Sequence, residues 1–170
     1  MDEVKGEQKM EKRTAIIPGS FDPMTLGHLS FIIKASEMFD NVIVAIMNNS
    51  SKNSFFTLLE RKEIAEKTCM ELGNVKVITA DGMLYDVAHA VGAKYIVKGV
   101  RNSIDFEYEQ NMAKINRALA PDVQTVYLPA DAAFEVVSSS LVREMLKNGK
   151  HVHAFMHPDT FVIANRYLKK

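Results

Sequence analysis

The chain has 170 residues, 47 % of them hydrophobic, which suits one domain with a substantial core. Its 21 Lys and Arg balance 21 Asp and Glu, so no global field draws it to nucleic acid or to an anionic membrane. No apolar run approaches the roughly 18 residues that span a bilayer, no secretory h-region opens the chain, and one cysteine forms no internal disulfide; the expected location is the cytoplasm.

Met1–Lys12 is mostly charged and polar with little to bury and is expected to be a flexible tail, with Met10 as an alternative start. From Arg13 the chain reads Arg-Thr-Ala-Ile-Ile-Pro-Gly-Ser-Phe-Asp-Pro-Met-Thr-Leu-Gly-His. A short apolar strand runs into a loop of Gly, Pro, Ser and Asp, which delivers Gly27 and His28 to a helix continuing through Leu29–Phe39. Such a layout binds anions: the first amides of a helix lack partners within it, the helix dipole favours negative charge there, and His28 adds a side-chain donor. Gly27 lets a ligand approach the backbone.

Asn41–Met47 is a continuous β-branched run, expected of a strand buried on both faces, and Asn48–Ser54 follows as a polar loop carrying Lys52. Thr57-Leu58-Leu59-Glu60 is a capping box that opens a helix stopping at Gly73, with Cys69 on its apolar side among Leu58, Ala65 and Leu72. Cys69 reads as core. A strand at Val75–Thr79, a helix at Met83–Val91, a strand at Tyr95–Lys98, a helix at Ile104–Leu119 and a strand at Gln124–Leu128 come next. Helices at Ser139–Asn148 and Pro158–Leu168 close the chain, the second with proline in its first turn. The alternation predicts an α/β fold: a single Rossmann-like domain over residues 13–170, with a five-stranded parallel sheet and helices on both faces.

Ligands of such sheets bind beyond the carboxyl ends of the strands, where strand order reverses. The polar segments follow strands as that rule requires: Gly19–His28, Ser50–Ser54, Gly99-Val100-Arg101 and Asp131–Ser140. Lys52 alone is a solvated lysine, but it leaves the strand beside the proposed phosphate loop. Lys98 ends a buried run, and Arg101 has a fork suited to two phosphate oxygens. Asp105 and Glu109 complement the dipole of their helix; Glu109 could also order Arg101 or a ligand amine. Ser138, Ser139 and Ser140 are more hydroxyls than one N-cap uses, and they mark a second anion-binding helix end. The histidines His151, His153 and His157 lack a cysteine or carboxylate partner at zinc-site spacing, so no protein metal site is expected.

Thr25-x-Gly27-His28 resembles the T/H-x-G-H signature of the nucleotidyltransferase superfamily. Pro18–Pro23, Ser51-Lys52, Phe56-Thr57-x2-Glu60-Arg61, Gly99-Val100-Arg101, Asp105–Glu109 and Val137–Val142, in this order, are similar to the phosphopantetheine adenylyltransferase family. The resemblance implies transfer of AMP from ATP to 4′-phosphopantetheine, giving dephospho-coenzyme A and pyrophosphate, with Mg²⁺ carried by ATP and a homo-hexamer as the assembly. By position it implies that Ser20 meets both substrates. Phe21, His28, Gly99, Val100, Arg101, Glu109, Phe134, Glu135, Val136, Val137, Ser138, Ser139 and Ser140 would hold ATP. Lys52, Leu84 and Lys98 would hold phosphopantetheine. His28, Lys52 and Ser20 are the implied catalytic set, acting by direct in-line attack on the α-phosphate. Ser20 replaces the family's frequent threonine and keeps its hydroxyl; Lys98 replaces the usual arginine and loses its fork. The rival readings are nicotinate mononucleotide adenylyltransferase, the cytidylyltransferases, and a nucleotide-binding module without turnover.

Overall fold

Alternation along the first strand sets the layers of the molecule. In the computed structural model, which describes residues 12–48 and 53–168, β1 (Thr14–Gly19) sends Ala15 and Ile17 to one face of the sheet and Ile16 to the other. Ala15 and Ile17 join the larger core with α1 (Leu26–Met38), α2 (Leu58–Thr68) and α5 (Ser139–Lys147), which contribute Phe31, Ile32, Ile64, Ala65, Val142 and Leu146. Ile16 joins Ala45 and Ile96 in a smaller core under α3 (Leu84–Ala90). The predicted helices on both faces are therefore present.

The remaining strands are β2 (Asn41–Met47), β3 (Val75–Ala80), β4 (Tyr95–Val100) and β5 (Gln124–Pro129), and α4 (Ser103–Leu119) joins the last two. All pairings are parallel and the order is β3-β2-β1-β4-β5. The chain winds outward from β1 to β3, crosses back to β4, and winds outward the other way. The reversal falls between β1 and β4, so the loops leaving these two strands stand side by side.

Local signals account for most boundaries. Glu60 N–H donates to Thr57 Oγ1 at 3.2 Å and Glu60 Oε2 accepts Thr57 N–H at 3.0 Å, closing the expected capping box of α2. Two expectations need correction. The helix from Thr57 does not reach Gly73: it ends at Thr68, and Cys69–Leu72 forms a turn closed by Leu72 N–H on the Cys69 carbonyl at 2.9 Å. The expected helix Pro158–Leu168 is a 3₁₀ turn (Pro158–Thr160), one α turn, α6 (Phe161–Ala164), and another 3₁₀ turn (Asn165–Tyr167). Thr160 Oγ1 donates to the His157 carbonyl, and the tighter winding lets Tyr167 pack on Phe55 and Phe56. Cys69 is buried as expected, 3.9 Å from Met24 Sδ, and burial pushes its thiol up to about 12. The expected tail lies largely outside the described residues.

Candidate active site

A cleft of about 350 Å³ opens where the strand order reverses. Its walls are the β1–α1 loop (Gly19, Ser20, Phe21, Thr25, Gly27, His28), the end of β4 with Lys98, Gly99 and Arg101, the first turns of α4 with Asp105, Tyr108 and Glu109, and the start of α5 with Val137, Ser138, Ser139 and Ser140. Three of the four loops singled out by the sheet rule thus meet. Of the fourth, Lys52 lies outside the described residues; Asn53 and Ser54 line an adjoining polar cavity of about 400 Å³ that shares Ser20 with the cleft.

Thr25 is the N-cap of α1, and the position that usually carries Glu in a capping box carries His28. Thr25 N–H donates to His28 Nδ1 at 3.1 Å, and Thr25 Oγ1 lies 2.9 Å from the same nitrogen. Burial, then the charge of Arg101, lowers the His28 pKa to about 4. The ring is therefore neutral at physiological pH. With Nδ1 accepting a backbone N–H, the proton sits on Nε2, which is left as the ring's donor. The row of unpartnered amides is shorter than the sequence implies, because Leu26 N–H is taken by the Phe155 carbonyl at 2.9 Å.

Both cations on the β4 side have carboxylate partners on α4. Arg101 binds Asp105 through Nε (2.8 Å) and Nη2 (3.3 Å). Lys98 Nζ lies 3.1 Å from Glu109 Oε2, off line for a hydrogen bond, so the contact is an ion pair; each side chain is 20 % exposed. Glu109 thus orders Lys98, whereas Arg101 is ordered by Asp105. The three serines also divide their work. Ser138 caps α5 by accepting Leu141 N–H at 3.1 Å, Ser139 Oγ donates to the Pro23 carbonyl at 2.8 Å, and Ser140 Oγ accepts from Arg143 at 3.1 Å.

Two glycines do something other than admit a ligand. A Cβ on Gly99 would stand 2.3 Å from the Phe31 ring, and one on Gly27 would stand 3.2 Å from the Val137 carbonyl. The first lets α1 lie close against β4; the second lets the β5–α5 loop close on the helix start. Outside the cleft lining fall Val100, Phe134, Glu135 and Val136, the last 76 % exposed, and Leu84, which packs against the smaller core. His153 stacks on Phe161 at 4.3 Å and His157 Nδ1 accepts Asp159 N–H at 3.4 Å.

Sequence reasoning met Arg61, Arg143 and Asp22 within motifs but gave none of them a role. Arg61 is buried and its Nη1 donates to the Ser20 carbonyl at 2.9 Å. The signal was present: Arg61 stands three, four and seven residues before Ile64, Ala65 and Thr68, which form the buried stripe of α2. Asp22 accepts the amides of Phe55 and Phe56, each at 2.8 Å, and Arg143 Nη1 donates to the Asp22 carbonyl.

Residues 16–145 match the family model described as cytidylyltransferase-like. The phosphopantetheine adenylyltransferase of Alkaliphilus metalliredigens is 45 % identical over 144 residues, covering 85 % of this chain and 92 % of the relative. That of Levilactobacillus brevis is 47 % identical over 135 residues, covering 79 % and 84 %. A solved structure from Vibrio parahaemolyticus, described as a nicotinate-nucleotide adenylyltransferase, superposes with a TM-score of 0.70 at 19 % identity over 94 % of this chain and 98 % of that one, a likeness of fold. By the family model and by this identity over most of its length, the chain belongs to the cytidylyltransferase-like nucleotidyltransferases and, among them, to the phosphopantetheine adenylyltransferase family.

Proposed function

We propose that this protein transfers the adenylyl group of ATP to 4′-phosphopantetheine, yielding dephospho-coenzyme A and pyrophosphate. The observation that carries the reading is the neutral His28, its tautomer set by Thr25, at a helix start that faces the paired cations of β4 and the serines of α5 across one cleft. An acceptor phosphate oxygen attacks the α-phosphorus, the new P–O bond forms in line with the breaking bond, and pyrophosphate leaves with that electron pair. Positioning two anions and stabilising charge on the α-phosphate is the protein's share of the work. His28 Nε2–H donates to the α-phosphate without itself titrating.

Ser20 lines both the cleft and the adjoining cavity, which supports its assignment to both substrates. Arg101 and Ser138–Ser140 are assigned to ATP with Phe21, Gly99, Val100, Glu109 and Phe134–Val137. Lys98, Leu84 and Lys52 are assigned to phosphopantetheine; Leu84 and Lys52, like Val100 and Phe134–Val136 on the ATP side, are assigned by their positions in the sequence alone, since Lys52 lies outside the described residues and the others do not line the cleft. Mg²⁺ arrives with ATP: Asp105 and Glu109, the carboxylates lining the cleft, are each committed to a cation, so the phosphates are its natural ligands. The exposed apolar residues of α4, Ile104 at 78 %, Tyr108 at 64 % and Ile115 at 53 %, support a homo-oligomer, which we assign as a hexamer. Among the described residues no helix is long and apolar enough to cross a membrane, and a cytoplasmic location accords with the reaction.

The test is pyrophosphate release from ATP with phosphopantetheine, nicotinate mononucleotide or no acceptor. Release with phosphopantetheine alone is expected. Release with nicotinate mononucleotide instead changes the acceptor, and ATP binding without release reduces the protein to a nucleotide-binding module.

A further inference from the structure

Phe21 has φ 44°, a backbone region that residues with a side chain seldom enter. Its ring lies over Gly19, where a Cβ would stand 2.9 Å away, and meets His28 edge-on with centroids 5.2 Å apart. Such a conformation persists only where its surroundings over-determine it. Here both flanking residues are held. Arg61 Nη1 binds the Ser20 carbonyl, and the Asp22 carboxylate receives the Phe55 and Phe56 amides.

Both holds originate at the start of α2, and that start is gripped from the C-terminal turn. Tyr167 hydroxyl donates to Glu60 Oε2 at 2.6 Å, the oxygen that also accepts Thr57 N–H. The Tyr167 ring packs 5.0 Å from Phe55 and 4.7 Å from Phe56. The bond to Glu60 pushes the Tyr167 pKa up to about 12, which keeps the hydroxyl a donor throughout the working pH range.

We propose that Tyr167 is a positioning residue for adenylyl transfer: through Glu60, Phe55 and Phe56 it fixes the Ser20–Asp22 segment, and with it the Phe21 ring that holds His28 in place. The inference rests on the function proposed above, and a readout independent of turnover separates the two. Tyr167→Phe in the full chain keeps the ring and removes only the hydroxyl.

Hydrogen exchange at the Phe55 and Phe56 amides is expected to speed about tenfold, while amides of β1 and β2 keep their rates. The kcat for dephospho-coenzyme A formation is expected to fall about fivefold, with KM for ATP within about twofold of wild type, because ground-state contacts survive while alignment does not. In a Glu60→Ala background Tyr167→Phe adds nothing further. Arg166→Ala, which removes a weaker 3.8 Å contact to Glu60 and leaves the hydroxyl, behaves as wild type in both assays. Unchanged exchange at Phe55 and Phe56 overturns the proposal, and so does faster exchange with an unchanged kcat. If the wild-type protein forms no dephospho-coenzyme A, the function reading falls by itself, and the exchange rates still decide whether Tyr167 holds the loop.

Discussion

His28 Nδ1 accepts the backbone N–H of Thr25 across 3.1 Å, so the cap of α1 and the orientation of the candidate catalytic ring are one interaction. A Glu at this position would close the same capping box but would bring a negative charge toward a phosphate. A neutral imidazole closes it and keeps a donor for the ligand. His28→Ala is expected to lower kcat by about 10²-fold while ATP affinity, measured by calorimetry, stays within a few-fold, the pattern for loss of one preorganised donor. A near-normal kcat removes His28 from the mechanism.

The lowered pKa of His28 also makes a stability prediction. Folded, the ring titrates at about 4; unfolded, it returns to the ordinary histidine value of 6.5. Between these values the unfolded chain binds a proton that the folded chain does not, so stability falls as pH falls through this window and the contribution is complete above 6.5. The full contribution is at most about 3 kcal/mol, less where water in the cleft screens the ring. Urea midpoints of wild type and His28→Gln should therefore move apart differently at pH 4.5 and pH 7.5, the variant losing less on acidification. Parallel curves would contradict the depressed pKa.

Lys98, which the proposed function assigns to the acceptor and where the resemblance leads one to expect arginine, has its ammonium engaged by Glu109 at 3.1 Å. A lysine has one charge centre to divide between that carboxylate and an incoming phosphate, whereas an arginine fork can serve both. Lys98→Arg is expected to lower KM for phosphopantetheine about threefold or more while leaving KM for ATP unchanged. Initial-rate kinetics at saturating ATP measures this. An unchanged KM, with wild type preferring a different acceptor, would sink the acceptor assignment.

The strands, their order of appearance and the loops that carry the site could be read from the sequence because each rests on local chemistry. β-branched runs announce buried parallel strands, Thr57 and Glu60 announce a helix start, and polar segments follow strands. The pairings could not be read. Whether Glu109 faces Lys98 or Arg101 depends on how α4 lies across β4, a distance of helix pitch and crossing angle that spacing does not encode. Arg61 could be read only as part of a family motif, because its burial shows only when the apolar stripe around it is counted. The C-terminal helix was over-extended because its proline start and apolar spacing do not distinguish an α-helix from the 3₁₀ turns that bring Tyr167 onto Phe55 and Phe56, a long-range contact.

Gly99 gives the sharpest case of a residue whose role only three dimensions reveal. The resemblance implies only that it holds ATP, yet a Cβ there would stand 2.3, 2.4 and 2.8 Å from three atoms of the Phe31 ring, distances no side chain tolerates. Phe31 is buried in the larger core on α1, three residues after His28, so a displaced ring shifts the helix that carries His28. Gly99→Ala is expected to destabilise the protein by about 1–3 kcal/mol, as overpacking does, and to lower kcat as well. Removing the obstruction separates the two explanations: with Phe31→Leu in the same chain, thermal denaturation should show Gly99→Ala costing less than it does alone, because the leucine leaves room for the methyl group. If the glycine instead serves only ligand approach, Gly99→Ala raises KM for ATP with Tm unchanged, and the Phe31→Leu background makes no difference.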